Sequence, residues 1–197
     1  MRIKTTLAGI MLVASSLAPK AQNAVKFVAE GGALGGAKSA PAFMAGVNAG
    51  LAKGKNFVDV YAGPLLGKNT GTGAVAMVLD EYTHSPRVSS WTRGFFMFPK
   101  KCPSTLTADI APVKVNTAYK NVNFSIMPAY NYNYDFTNRT STQSVKAIGQ
   151  AVYSVSPKDR VCLELQYGST PTHNLMDTHF GSFSDGFGYT VTYARSL

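Results

Sequence analysis

Residues 122–136, VNFSIMPAYNYNYDF, constrain the fold more than any other stretch. Val122, Phe124, Ile126, Pro128, Tyr130, Tyr132, Tyr134 and Phe136 share one parity; Asn123, Ser125, Met127, Ala129, Asn131, Asn133 and Asp135 share the other. A strand sends successive side chains to opposite faces, so this segment has one apolar, aromatic-ended face and one mostly polar face. It is about twice the usual length of a strand in a soluble protein. A membrane-spanning strand needs roughly 9–11 tilted residues, apolar toward lipid and polar toward the lumen, with aromatic residues at the water interfaces.

The rest of the chain repeats the pattern between small-residue and turn-forming breaks. We read strands over about 24–33, 41–52, 56–66, 74–83, 88–98, 104–117, 122–136, 143–155, 160–167 and 186–195. The ninth alternates cleanly, Val161, Leu163, Leu165 and Tyr167 against Arg160, Cys162, Glu164 and Gln166. The fourth and fifth are ambiguous in phase, the fifth because Trp91 and Arg93 share a face. Pro112 marks a bulge or a break in the sixth. The fold expected is all-β: an antiparallel up-and-down transmembrane β-barrel of about ten strands, with eight as the alternative. An even count puts both termini at one end, and the long polar segment 168–185 at the other.

Residues 1–24 read as a signal peptide, leaving 25–197 as the barrel domain. Arg2 and Lys4 precede the apolar run Leu7–Leu17, which is too short to span a bilayer, and cleavage is expected after Ala21 or Ala24. Beyond it no run of about 18 apolar residues exists, which excludes helical spans. Losing Arg2, Lys4 and Lys20 with the leader lowers the formal net charge from +9 to +6. The basic residues are scattered through turns rather than clustered, which fits solvated turns and anionic headgroups better than nucleic acid.

No catalytic, cofactor or metal motif survives inspection. Gly63–Thr70 (GPLLGKNT) has three residues between its glycines where a phosphate loop needs four, and Asn69 follows Lys68. His173, Asp177 and His179 form a polar surface-loop group whose spacing matches no metal-ligand pattern. Parity places Lys26, Glu30, Asp59, Asp109, Lys146, Arg160 and Glu164 in the lumen, with Asp80 and Arg93 beside them. A set so nearly balanced in sign is suited to pairing off and filling the interior, because unpaired charge in a narrow lumen is costly. Cys102 and Cys162 fall at opposite ends of the barrel wall and are too far apart to bond.

The leader, the turn-and-strand Val155–Ser169 and the closing alternation Phe187, Tyr189, Val191, Tyr193 together resemble bacterial outer-membrane β-barrel proteins, of the small OmpA-like, OmpX-like or porin-like kind. Arg195 and the terminal Leu197 depart from the final aromatic residue common in that family. The resemblance implies a monomeric protein of the cell outer membrane, embedded in outer-membrane lipid and inserted by the barrel-assembly machinery through its last strand. With no such motif in the sequence, no cofactor and no enzymatic activity are expected. The leading expectation is a structural or surface-interaction role carried by the loops. A narrow porin for small solutes and a secreted soluble β-sandwich are the alternatives, and a lipid-acting barrel enzyme is the least favoured.

Overall fold

The computed structural model describes residues 25–36, 40–169 and 187–197. Within them lie ten strands: β1 (Lys26–Gly36), β2 (Ala42–Lys53), β3 (Asn56–Gly67), β4 (Gly71–Ser85), β5 (Val88–Pro99), β6 (Thr105–Tyr119), β7 (Val122–Asp135), β8 (Thr140–Ser154), β9 (Asp159–Ser169) and β10 (Phe187–Ser196). Each pairs antiparallel with its neighbours in sequence, and β1 pairs with β10, so the sheet closes on itself. The ten-strand reading holds and the eight-strand alternative does not. Closure matters energetically: hydrocarbon offers no hydrogen bonds, so an open edge there would leave backbone groups unpaired.

Both described termini lie at one end, where the Leu197 amide donates to the Phe27 carbonyl at 3.0 Å. That end, here the turn end, carries the short connections. Lys53 and Asn56 pair across a two-residue turn whose Gly54 has φ 60°, a left-handed conformation that glycine adopts without strain. Tyr119 and Val122 likewise flank a two-residue turn at Lys120 and Asn121. The opposite, loop end holds the connections after β1, β3, β5, β7 and β9. β8 begins at Thr140, three residues earlier than position 143, so the polar loop expected over 137–142 shrinks.

The outside is apolar with two aromatic bands. Phe27, Tyr82, Tyr119, Phe124, Tyr153 and Tyr193 ring the turn end, and Phe43, Phe98, Tyr130, Phe136 and Tyr167 lie toward the loop end. Val47, Val78, Ile110, Ile126, Val145, Leu163 and Val191 are exposed among them. This is the outer surface of a transmembrane barrel. β7 follows its sequence pattern: Met127, Ala129, Asn131, Asn133 and Asp135 are buried inside while Phe124, Ile126 and Tyr130 face out.

The two ambiguous strands resolve with one correction. In β4, Val75 is buried inside, and Met77, Leu79 and Glu81 follow its parity, while Val78, Asp80 and Tyr82 point outward. Asp80 is therefore on the outer wall, and Glu81 is the carboxylate that β4 sends inside. Both parities of β4 are apolar from Ala74 to Leu79, so hydropathy cannot fix the phase. In β5, Trp91 and Arg93 both face in, and the guanidinium lies 4.7 Å from the indole centroid. In β6, the register slips between Ile110 and Val115, around Pro112. The extra residue flips the parity beyond it and turns Lys114 inward.

Two apolar clusters fill part of the interior. Leu34, Ala42, Tyr61, Leu65, Val75 and Met97 pack in the loop-end half of β1–β5, with Met44, Met77 and Phe95 against them. Trp91, Ala111, Met127, Ala129 and Ile148 pack across β5–β8, with Leu79 beside them. Where β2 and β3 approach most closely, a Cβ on Gly63 would lie 1.9 Å from the Ala45 carbonyl oxygen. Only glycine fits there.

Candidate functional site

The inward charges meet at mid-height. Arg93 reaches from β5 to two carboxylates: its Nη2 lies 2.7 Å from Asp109 Oδ2 on β6, and its Nη1 lies 2.9 Å from Glu164 Oε1 on β9. Asp109 also takes Lys146 Nζ of β8 at 2.7 Å. Two cations and two carboxylates thus alternate across β5–β9, and hydrogen bonding from planar guanidinium to carboxylate fixes the geometry.

Neutral donors complete the network, as burial of charge requires. Asn131 donates to Asp109 at 2.6 Å. Gln150 and Gln166 donate to Glu164 at 2.7 and 2.5 Å. Lys146 also donates to Gln166 at 2.9 Å. Toward the loop end, Thr107 donates to Asn133 at 2.8 Å and Asn133 donates to Asn131 at 2.5 Å, extending the polar packing along β6 and β7. Toward the turn end a second pair forms: Lys114 Nζ lies 3.0 Å from Glu81 Oε2, and Ser89 donates to Glu81 at 2.6 Å.

The remaining inward charges lie on another sector. Glu30 of β1 accepts a hydrogen bond from Asn48 of β2. Asp59 of β3 is buried, 8% exposed, and makes no ion pair among the described residues. Arg160 is exposed near the start of β9, and Lys26 is exposed at the start of β1. A cavity of about 290 Å³ runs between these groups and the central network. Leu34, Met44, Met77, Leu79 and Phe95 form one wall, and Arg93, Asp109, Lys146 and Glu164 form the other.

Of the residues singled out from sequence, Asp109, Lys146 and Glu164 come together around Arg93, while Glu30 and Asp59 share the opposite sector. Lys26 sits at the rim. His173, Asp177 and His179 lie outside the described residues. Sequence reasoning missed Glu81, hidden by the phase of β4, and Lys114, hidden by the bulge; counting one extra residue at Pro112 would have turned Lys114 inward. Both cysteines are free: Cys102 in the β5–β6 loop, where its thiol faces the Asn69 carbonyl at 3.8 Å, and Cys162 on the cavity wall. Among the described residues, no group of three or more His, Cys, Asp or Glu side chains is placed to hold a metal ion.

A closed, apolar-walled antiparallel barrel with a polar interior defines the class: a ten-stranded transmembrane β-barrel. No family model matches this chain. No curated protein matches it either. Among solved structures it is similar to the NanC porin, at 10% identity and a TM-score of 0.42, covering 88% of this chain and 100% of that one. It is also similar to OmpT, an outer membrane protein of Vibrio cholerae. The loop L8 deletion mutant of OmpT gives 12% identity and a TM-score of 0.39, covering 80% of this chain and 54% of that one. The in-vitro folded trimer form gives 14% and 0.38, covering 83% of this chain and 63% of that one. This chain thus spans less than two thirds of OmpT, and at these scores the similarities carry no functional information.

Proposed function

We propose that this protein is a monomeric integral barrel of the outer membrane, that its lumen is barred to ion flow, and that it acts through the surface its loops present. The observation that carries this reading is the Arg93 bridge. One guanidinium ties β5 to β9 across the lumen, with Asp109, Lys146, Gln150 and Gln166 filling the space around it. A ring of one charge sign would suit selective conduction; an alternating, mutually paired set suits closure.

The aromatic-banded wall is matched to outer-membrane lipid. Short turns and both termini face the periplasm in this orientation, and the loops face outward, as barrel proteins of this kind are built. Phe187, Tyr189, Val191 and Tyr193 form the outward parity of β10, the strand through which the barrel-assembly machinery would take hold.

Planar-bilayer recording tests the closure. The purified protein is expected to give no steady conductance, and Arg93→Ala combined with Lys146→Ala is expected to open discrete steps by clearing the bar. Steady conductance from the unaltered protein would overturn the closed-lumen reading and make the chain a narrow porin.

A further inference from the structure

The cavity beside the ion-pair network has an uneven charge balance. Its lining carries five carboxylates, Glu30, Asp59, Glu81, Asp109 and Glu164, and four cations, Arg93, Lys114, Lys146 and Arg160. Three of the cations are taken: Arg93 by Asp109 and Glu164, Lys146 by Asp109, Lys114 by Glu81. Glu30 and Asp59 are left, close enough to feel each other's charge, and the charge of Arg160, exposed toward the turn end, reaches Asp59 without forming an ion pair. Among the described residues, Glu30 has only the amide of Asn48.

Two further groups in that sector are incomplete. Tyr61 and Asn48 face each other across β3 and β2, two residue pairs from Asp59. The Tyr61 hydroxyl and the Asn48 carbonyl oxygen are buried without a hydrogen-bond partner among the described residues. Neither residue lines the cavity; what faces it from this sector is Glu30 and the nine-tenths buried Asp59, which makes no ion pair among the described residues, and charge buried in this way is costly without a counter-charge. Beside it, toward the loop end, Met44, Met77 and Phe95 present an apolar wall whose methionines adapt to varied shapes.

We propose that this cavity binds a small organic monocation with an apolar body, its charged end between Glu30 and Asp59 and its body against Met44, Met77 and Phe95. One positive charge brings the lining to neutrality. The cavity's volume, at the lower end of the range for ligand pockets, sets the size at a single ring or a short branched chain. An anion meets the carboxylates that make no ion pair, and a neutral molecule of the same shape leaves the lining's net negative charge in place. The site does not depend on whether the barrel conducts.

The chain's one tryptophan, Trp91, lines the same cavity and reports on it. The protein in zwitterionic detergent at pH 7 is titrated with benzylammonium, benzyl alcohol and benzoate, following Trp91 fluorescence. Benzylammonium is expected to give a saturable change, and the other two only the small linear drift of partition into the micelle. Asp59→Asn, its folded state checked by a heat-modifiable gel band, is expected to weaken benzylammonium binding by about tenfold or more, the loss of one charged hydrogen bond. Lys158→Gln, exposed in the β8–β9 turn and outside the cavity lining, controls for general loss of charge and is expected to change it less than about threefold. Equal responses to the three probes would overturn the proposal. So would a folded Asp59→Asn barrel that binds benzylammonium as tightly as the parent.

Discussion

Replacing Arg93 with methionine removes the cation that ties β5 to β9 across the lumen while keeping an apolar stem of similar length. The geometry sets the size of the effect. A pair 2.9 Å apart, such as Arg93 with Glu164, attracts by about 6 kcal/mol at an effective dielectric constant near 20. Desolvation takes back much of this, and breaking a buried pair by deleting one partner costs about 3–5 kcal/mol. The side chains of Arg93, Asp109 and Glu164 are 13%, 1% and 5% exposed, so solvent screens them little. Asp109 retains Lys146 and Asn131, and Glu164 retains two glutamine amides, which places the loss near the lower bound, about 3 kcal/mol. The assay is urea unfolding in detergent, reading the folded fraction as the heat-modifiable gel band so that the altered environment of Trp91 does not intrude. Glu164→Gln in the same chain removes the orphaned carboxylate and leaves the neutral Lys146–Asp109 pair. The double variant is therefore expected to regain most of the loss, an interaction energy above about 1 kcal/mol. An Arg93→Met barrel as stable as the parent, or a double variant as weak as the two single losses added, would refute the reasoning.

Gly63→Val is expected to block barrel formation or lower the urea midpoint sharply, because even the first added carbon would lie 1.9 Å from the Ala45 carbonyl oxygen; the folded gel band measures this. Cys102 is expected to react with a membrane-impermeant maleimide on intact cells, whereas Cys162, on the cavity wall, reacts only after heating in SDS. Burial raises the Cys102 thiol above its ordinary pKa, so less of it is thiolate near neutrality; labelling should be slower than for a free thiol at pH 7 and accelerate above the ordinary cysteine range, as a rate-against-pH series would record.

The strands were legible because a barrel wall imposes a period of two on every one of them. The alternation from Val122 to Asp135 survives in β7 residue for residue, and that of β9 from Arg160 to Tyr167 does so too. Phase was lost where both parities are apolar, which sent Asp80 inward on paper and outward in the fold, and where Pro112 adds a residue and flips everything beyond it. The site was only half legible. Parity names the residues that face the lumen but says nothing of their direction around the barrel, so Arg93 and Glu164, 71 positions apart, could not be paired from sequence. Nor could the separation of the paired set from Glu30 and Asp59, since it depends on which sector each strand occupies after closure.

The central claim is an integral, closed barrel in the outer membrane. Its most direct test is a gel of the carbonate-washed outer-membrane fraction, run in SDS with and without boiling. The account predicts that the protein stays with the membrane and that the unboiled band migrates apart from the boiled one, because a closed barrel resists SDS until heated. Release of the protein by carbonate, with a single band regardless of heating, would contradict it and favour a secreted soluble β-protein.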